Sequence, residues 1–528
     1  MRIRAVAMRV FACAVLTGWC VAAPAHADDA LTVKTAQGKV QGKPINSGKV
    51  RAFLGLPYAA PPVGDLRWAP PRPPANWHGT RPATHYGARC VQGRVFADMV
   101  FQDSGPSEDC LYLNVFAPAN ADPHAKLPVM FWIHGGGYVG GSASEPRHNG
   151  DFLPLKGVVL VTINYRLGVF GFLATPALAK EQSGSAGNYG LMDMVAALEW
   201  VKANIAQFGG DPGNVTIFGE SAGSYAVCTL MAAAPARGLF VHAIGESGGA
   251  LNLGGPHQPS FQQAMEHDQA WVNSLGMDLT HLRELPANIV LAASQRRDAP
   301  HIGPVIDGKL LTEPVAVTYA AGRQAHVPLL AGWNRDEQSG LSVGMTAAKW
   351  KDYAQKTFGE HAAEFLQLYP GDTDAEAIRS AIDYNSDSFI AFGTWRWIDA
   401  QVKTGDAPAY RYHLEHPAPP SKFHPGSYAF HSDDIEYVFG TLDTRPGAVW
   451  APEDYKLSNA MMDYWTNFAK TGDPNGSGLP DWPKFNTTDQ ILHLDTAITA
   501  GPDTTHARYE FLMKWMPRGR PAAPPPAH

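Results

Sequence analysis

The stretch "NVTIFGESAGSYAVCTLMAAA", residues 214–234, decides the predicted fold of this chain. Its β-branched and aromatic start predicts a strand, and the small and apolar residues after Ser221 favour a helix. A serine on a tight strand-to-helix turn exposes its hydroxyl and directs the helix N-terminal amides towards a developing oxyanion. Gly219 and Gly223 flank the serine, and small residues suit this crowded turn. The stretch therefore predicts an α/β fold in which Ser221 is a nucleophile.

A second copy of the G-x-S-x-G pattern, "GESGG" at residues 245–249, competes for the same role. Ser247 follows a strand-like segment, "FVHAIGE". The residues after it, "GGALNLGGPHQP", contain glycines and prolines that prevent a helix from starting at once. Ser247 therefore lacks half of the strand-turn-helix context, and Ser221 is the predicted nucleophile.

The rest of the chain alternates strand-like and helix-like segments. The predicted strands are residues 127–134, 157–166, 214–221, 326–334 and 408–414. The predicted helices are residues 191–208 and 457–470. Several strands are apolar at nearly every position, which is typical of strands covered on both faces by helices. The pattern predicts an α/β fold with a mostly parallel central sheet flanked by helices on both faces.

A glycine-rich loop, "HGGG" at residues 134–137, follows the first of these strands. Only glycine lets a main chain approach a reacting carbonyl closely enough for its amides to form an oxyanion hole. The amide of Ala222, directly after the nucleophile, is the predicted further donor. His134 is interpreted as a structural residue, and a merely flexible glycine loop is the alternative interpretation of the segment.

The first 27 residues have the composition of an export signal. Three arginines precede an apolar run at residues 10–23, and Ala-His-Ala at residues 25–27 fits a cleavage site. A membrane anchor is the alternative, but the run is shorter than the roughly 20 residues that span a bilayer. A lipoprotein signal at Cys20 is disfavoured because the bulky Trp19 precedes it. We predict cleavage near Ala27 and a secreted or periplasmic protein.

Composition limits the remaining possibilities. The chain is 45% hydrophobic and 17% charged, which predicts a globular protein with a large core. Its net charge of −7 becomes more negative when the three arginines of the signal are removed, which argues against a nucleic-acid partner. No later segment has the length and apolarity of a membrane span. Without a linker or repeat, residues 28–515 are predicted to form one domain, followed by a disordered, proline-rich tail at residues 516–528.

Three cysteines remain after the signal. Cys90 and Cys110 lie 20 positions apart around a polar stretch, and an oxidising compartment would allow them to pair. Cys228 lies in the apolar run after Ser221 and is predicted to be a buried thiol.

Many motifs in one order resemble the type-B carboxylesterases, the α/β-hydrolase family that includes the cholinesterases. The resemblance extends from about residue 33 to residue 485. The motifs are "FLGLPYAAPPVGDLRW", "SEDCLYLNVF", "WIHGGGY", "GNYGLMDMVAALEWVKANIAQFGGDPGNVTIFGESAGS", "PVIDG", "GWNRDE", "HSDDIEYVFG" and "YWTNFAKTGDPN". The resemblance implies that Ser221 is the nucleophile, and that the amides of Gly136, Gly137 and Ala222 form the oxyanion hole. It implies a supporting role for Ser247, close to the catalytic histidine, and we assign a supporting role to Glu220 as well.

The catalytic acid and histidine follow the serine in this order in the fold. The later histidines are His361, His413, His416, His424, His431, His493, His506 and His528. Residue patterns narrow these to loop positions such as His424 and His431, and the resemblance selects His431. For the acid, "NRDEQSG" offers Asp336 or Glu337, and the resemblance favours Glu337. Asp433 and Asp434 are interpreted as polar loop residues.

The resemblance also bears on the scaffold and on specificity. It implies a buried ion pair between Arg67 and Glu108, and a disulfide between Cys90 and Cys110. Cholinesterases hold a quaternary ammonium group on a tryptophan inside that disulfide loop. The loop here contains no tryptophan, so choline esters are not the expected substrates.

Before "PVIDG", where cholinesterases have two acyl-pocket phenylalanines, this chain has "RRDAPHIG". Asp298 and Pro300 therefore predict a wider and more polar acyl pocket. Arg296, Arg297 and His301 are either solvated surface charges, the favoured interpretation, or contacts for an acidic acyl group.

The predicted function is hydrolysis of small or medium-sized carboxylic esters through an acyl-enzyme, without a metal or organic cofactor. The partner is a small-molecule ester. An interfacial lipase is the nearer alternative, and a non-catalytic adhesion protein of the same fold is the more distant one.

Overall fold

The computed structural model describes residues 30–122, 124–251, 258–296, 299–485 and 489–516. The predicted signal at residues 1–27 and nearly all of the predicted tail lie outside these residues. The strands are β1 (Thr32–Lys34), β2 (Lys39–Gln41), β3 (Lys43–Ile45), β4 (Val50–Pro57), β5 (Thr80–Pro82), β6 (Arg89–Cys90), β7 (Pro106–Ser107), β8 (Tyr112–Pro118), β9 (Leu127–Ile133), β10 (Val159–Ile163), β11 (Gly210–Glu220), β12 (His242–Glu246), β13 (Leu329–Asn334), β14 (Ala409–Leu414), β15 (Gln490–Leu494) and β16 (Thr499–Pro502).

Helices connect most of the parallel strands. They are α1 (Gly168–Phe172), α2 (Pro176–Glu181), α3 (Tyr189–Asn204), α4 (Ala222–Ala232), α5 (Phe261–Ser274), α6 (Leu279–Glu284), α7 (Ala287–Ser294), α8 (Val315–Ala320), α9 (Ala347–Phe358), α10 (Ala362–Leu368), α11 (Asp374–Ser386), α12 (Phe392–Thr404), α13 (Asp434–Phe439), α14 (Pro452–Thr471) and α15 (His506–Trp515). A π-helical turn, Asp387–Ala391, joins α11 to α12. Within the described part of the chain, no helix has the combined length and apolarity that a bilayer crossing demands.

An 11-stranded sheet organises the molecule. Its order is β16-β15-β14-β13-β12-β11-β9-β10-β8-β4-β3. The seven strands from β15 to β10 pair in parallel, and the strands at both ends pair antiparallel. The five predicted strands correspond to β9, β10, β11, β13 and β14, so the predicted fold class is confirmed. The predicted helix 191–208 ends earlier, because α3 stops at Asn204 and a short 3₁₀ helix, Ile205–Phe208, follows it.

The sheet is covered on both faces, because successive strand residues point to opposite sides. In β9, Phe131 and Ile133 belong to one hydrophobic cluster, together with residues of α3, α4 and α12. Met130 and Trp132, at the alternate positions, belong to a second cluster with residues of α13 and α14. This double coverage explains why the central strands are apolar at nearly every position.

The candidate site lies at the carboxyl ends of the parallel strands. β11 ends at Glu220, β12 at Glu246 and β13 at Asn334, and their register aligns Glu220 with Glu246 and Glu246 with Gly332. The loops that leave these neighbouring strands carry Ser221, Ser247 and Glu337. The topology thus brings Ser221 to the same edge of the sheet as Glu337, although the two are more than 100 positions apart in sequence.

Candidate active site

Ser221 occupies the sharp turn between β11 and α4. Its backbone angles are φ 53° and ψ −122°, a conformation that non-glycine residues rarely adopt. Its N–H donates to Glu246 O at 2.9 Å, which fixes the turn against β12. A Cβ atom at Gly219 would lie 2.5 Å from Ile133 O, so the residue two positions before the serine has no room for a side chain. The local structure agrees with the predicted strand-turn-helix motif.

His431 and Glu337 complete a chain of hydrogen bonds that starts at Ser221. The Nε2 atom of His431 is 2.8 Å from Ser221 Oγ. On its other side, His431 Nδ1 is 2.5 Å from Glu337 Oε2. The structure therefore brings together the three residues that the sequence analysis selected. Asp336, the alternative acid, instead pairs with Arg379 at 2.6 Å.

The carboxylate of Glu337 is buried and held by two further donors. Its Oε1 atom accepts the backbone N–H of Asn334 at 2.7 Å and the hydroxyl of Ser247 at 2.6 Å. Ser247 is fully buried. Ser247 therefore contacts Glu337 directly and is linked to His431 only through Glu337. With both Oε1 donors in place, Oε2 is fixed in its orientation towards His431.

The glycine loop faces the serine. A Cβ atom at Gly135 would lie 3.1 Å from Ser221 Cβ and 2.7 Å from Glu220 Oε2, so a larger residue would displace the serine or its neighbour. Among the described residues, none accepts a hydrogen bond from the backbone N–H of Gly136, Gly137 or Ala222. The amides of the three predicted oxyanion-hole residues therefore have no acceptor within the described part of the chain.

His134, which opens this loop, is a packed core residue. It is buried, and its ring stacks on Tyr165 with a centroid distance of 4.4 Å. Burial lowers the pKa of His134 to about 4, so the imidazole is neutral at physiological pH. The structure agrees with a structural role.

Glu220 lies beside the imidazole of His431. Its Oε1 atom is 3.3 Å from His431 Nε2 and accepts the hydroxyl of Ser432 at 2.6 Å. Burial raises the pKa of Glu220 to about 8. Burial alone would lower the pKa of His431, but the nearby Glu220 and Glu337 raise it to about 9. A protonated Glu220 no longer favours the imidazolium, so its ionisation and that of His431 are linked.

Of the two aspartates interpreted as polar loop residues, Asp433 lies in a turn as expected but is buried, and Asp434 is not a loop residue, which corrects that interpretation. Asp433 is 2% exposed, and Asp434 is fully buried as the first residue of α13. Asp434 accepts hydrogen bonds from Tyr412 Oη at 3.0 Å and Asn334 Nδ2 at 3.2 Å. Burial, with Glu337 nearby, raises the pKa of Asp434 to about 6. No local sequence pattern reveals this role, because its partners lie on β13 and β14.

Phe389 contacts His431, and no sequence motif indicates this contact. Its ring meets the ring of His431 in an edge contact, with centroids 5.1 Å apart. Phe389 lies in the π-helical turn between α11 and α12, and such turns occur frequently at functional sites. A π-helical turn has no recognisable sequence signature, so the contact could be found only from the fold.

The predicted scaffold contacts are confirmed. A disulfide joins Cys90 and Cys110, with Cα atoms 4.9 Å apart, and Cys228 is a buried free thiol. Arg67 and Glu108 form a bidentate ion pair, with Arg67 Nε 2.7 Å from Glu108 Oε1.

The segment before "PVIDG" is only partly described. Arg297 and Asp298 lie outside the described residues. Arg296 is exposed and Pro300 is buried. His301 is partly buried, and burial lowers its pKa. Its interpretation as a solvated surface charge is therefore wrong.

A mostly parallel sheet with a serine on a strand-to-helix turn, followed in the chain by an acid and a histidine, defines the α/β-hydrolase class. The sequence profile of the Carboxylesterase family matches residues 29–512. The chain belongs to the carboxylesterase family and is a carboxylesterase, as its resemblance to type-B carboxylesterases predicted.

Individual relatives cover nearly the whole chain. Fumonisin B1 esterase of Sphingopyxis macrogoltabida is 35% identical over 90% of this chain and 89% of its own length. Para-nitrobenzyl esterase of Bacillus subtilis is 36% identical over 91% and 98%. Carboxylesterase 1D of Rattus norvegicus is 34% identical over 94% of both chains. A solved structure of PNB esterase aligns with a TM-score of 0.76 at 32% identity, covering 92% of this chain and 99% of its own.

Proposed function

We propose that this carboxylesterase is a serine hydrolase with a Ser221–His431–Glu337 triad. The observation that carries the proposal is the continuous path of hydrogen bonds, 2.8 Å from Ser221 Oγ to His431 Nε2 and 2.5 Å from His431 Nδ1 to Glu337 Oε2. A nucleophile bonded to a base that a third group orients is the arrangement that activates a weakly nucleophilic hydroxyl. The positive φ of Ser221 adds support, because it presents the hydroxyl at the carboxyl edge of the sheet.

The reaction proceeds in two stages. Ser221 Oγ attacks the ester carbonyl while His431 Nε2 takes its proton, and Glu337 stabilises the imidazolium through Nδ1. The imidazolium then donates that proton to the departing alkoxide, which leaves an acyl-serine and the free alcohol. A water molecule, deprotonated by His431, hydrolyses the acyl-enzyme and regenerates the serine.

The oxyanion formed in each stage binds the amides of Gly136, Gly137 and Ala222. Their lack of acceptors among the described residues supports this role, since a preorganised donor needs no rearrangement when charge develops. The start of α4 at Ala222 adds the partial positive charge of a helix N-terminus.

The substrates are small or medium-sized esters without a choline group. The loop between Cys90 and Cys110 has no tryptophan to bind a quaternary ammonium group. Two relatives are named for fumonisin B1 and for para-nitrobenzyl esters, and neither name refers to a choline ester.

The enzyme acts after export, as a single domain over residues 28–515 that is released by cleavage near Ala27. The disulfide between Cys90 and Cys110 supports this location, because such bonds persist in oxidising compartments. N-terminal sequencing of the protein exported by its host tests the cleavage site.

A substrate series tests the proposed specificity. Soluble p-nitrophenyl esters of acetate, butyrate and octanoate would be compared with acetylthiocholine and an emulsified triacylglycerol. We expect measurable kcat/KM for the p-nitrophenyl esters, a flat or rising rate from acetyl to butyryl, and little turnover of the choline ester. A strict preference for acetyl groups would contradict the wide acyl pocket. Activity that rises sharply at the emulsion interface would favour an interfacial lipase.

A further inference from the structure

Two imidazoles and one carboxylate converge at the sheet, apart from the proposed triad. His413 in β14 and His493 in β15 are directly paired in the parallel register, and Glu415 follows β14 immediately. Register partners on adjacent strands project from the same face, as do residues two apart along an extended chain. The fold therefore brings three potential metal ligands together from two neighbouring strands.

The distances among the three groups suit a small cation. His413 Nδ1 is 2.9 Å and His493 Nδ1 is 2.7 Å from the same atom, Glu415 Oε1. One ligand atom from each residue lies within 4.8 Å of the other two. In a tetrahedral zinc site, bonds of about 2.0–2.2 Å separate neighbouring N and O ligands by roughly 3.3 Å. Each nitrogen would need to withdraw from the oxygen by only about half an ångström to admit the ion.

The charge and the accessibility of the cluster favour a divalent cation. Glu415 supplies the one carboxylate of the cluster, and its Oε1 atom lies between the two imidazoles. The side chains of His413, His493 and Glu415 are 14%, 21% and 28% exposed. Water can therefore reach the cluster and supply a fourth ligand.

Other imidazole–carboxylate contacts of the chain lack this composition. His281 pairs with Asp278 alone on the surface, and His416 lies between two carboxylates, Asp454 and Asp495. In the described ranges, no other three histidine, cysteine, aspartate or glutamate residues bring one ligand atom each this close together. Two imidazoles with one carboxylate are a donor set that suits zinc and its neighbours in the first transition series.

We propose that His413, Glu415 and His493 bind one divalent transition-metal ion of the zinc class, which links β14 to β15 and takes no part in ester hydrolysis. On binding, each neutral imidazole directs its Nδ1 lone pair to the ion and carries its proton on Nε2.

Calorimetric titration tests the proposal on the full, untagged chain after treatment with a chelator. ZnCl₂ is titrated into the wild type, His413→Gln, His493→Gln and the matched control His281→Gln. We expect one equivalent of tight binding in the wild type and in the control, and at least a roughly 100-fold weaker affinity in the other two variants. Absent stoichiometric binding, or equal affinity in all four proteins, would overturn the proposal.

A second measurement does not depend on whether the variants fold. Crystals of the wild type soaked in ZnCl₂ are examined by anomalous diffraction at the zinc edge. A peak between His413 Nδ1 and His493 Nδ1 is the expected result. Peaks only elsewhere, for example at His416 or His431, would contradict the site. Because esterase activity is not the readout, failure of this proposal and failure of the proposed triad remain distinguishable.

Discussion

Ser221 and Ser247 lie at the ends of adjacent parallel strands, in the same five-residue pattern, with different surroundings. Their strands align Gly219 with Gly245 and Glu220 with Glu246. Both serines have positive φ angles, 53° and 51°. Ser221 is partly exposed and begins a helix, whereas Ser247 is fully buried and followed by a loop.

The difference lies in the partner of each hydroxyl. Ser221 Oγ contacts Nε2 of His431, the proposed base, while Ser247 Oγ donates to Glu337, the proposed acid. The same local motif thus forms a positive-φ turn twice. The later loops that carry Glu337 and His431 determine which of the two serines contacts the imidazole. The following predictions are ordered from the largest expected effect to the smallest.

Ser221→Ala removes the proposed nucleophile. We expect kcat to fall by about 10⁶-fold, because the remaining triad residues have no hydroxyl to activate. The measurement is steady-state hydrolysis of p-nitrophenyl butyrate, with near-UV circular dichroism to establish that the variant is folded. A decrease in kcat of less than about tenfold would mean that another residue is the nucleophile.

Glu337→Gln keeps the size of the acid but removes its charge. We expect kcat to fall by about 10⁴-fold, because the imidazolium is no longer stabilised and the tautomer of His431 is no longer fixed. Asp336→Asn is the matched comparison, since Asp336 contacts Arg379 instead of His431. Its main expected effect is a lower melting temperature. If Asp336→Asn lost most of kcat and Glu337→Gln lost only thermal stability, Asp336 would be the catalytic acid instead of Glu337.

Ser247→Ala removes one of the two donors to Glu337 Oε1. A hydrogen bond to a charged group contributes about 1.5–3 kcal/mol, which corresponds to a loss of roughly 10- to 100-fold in kcat/KM. Ser458→Ala serves as control, because Ser458 is also buried but donates to Tyr437 O. We expect the control to retain wild-type kcat/KM. An inactive Ser247→Ala variant that is still folded would mean that Ser247 takes part directly in the chemistry.

Glu220→Gln tests whether the charge of Glu220 controls the pH dependence of the reaction. Ionised Glu220 raises the pKa of His431, and the base acts only when it is neutral. Removing the charge therefore lowers the pKa of His431, and the acid limb of the kcat/KM profile shifts to lower pH.

Glu246→Gln is the control for this shift, because Glu246 binds Trp465 Nε1 at 2.7 Å and does not contact His431. Its acid limb should remain near that of the wild type. A shift to higher pH in Glu220→Gln would contradict the proposed electrostatic role.

Local patterns were sufficient to predict the main strands, the serine turn and the glycine loop, since each is encoded by consecutive residues. They also reduced the acid to Asp336 or Glu337. The choice between these neighbours depends on which side chain faces His431, and that is a tertiary contact. The family resemblance, and not the local pattern, favoured Glu337 over Asp336.

The contacts that sequence reasoning missed join residues remote in the chain. Asp434 reads as a polar loop residue because its donors, Tyr412 and Asn334, lie 22 and 100 positions away. Phe389 reaches His431 through a π-helical turn, which has no sequence signature. The pairing of His413 with His493 likewise depends on the register of two strands. Such roles emerge only once the sheet order is known.

The most direct test of the account is labelling of the folded protein with a fluorophosphonate probe, followed by peptide mapping. The account predicts one label per chain, on Ser221, that is lost in Ser221→Ala and retained in Ser247→Ala. No label, or a label on Ser247, would contradict the proposed triad.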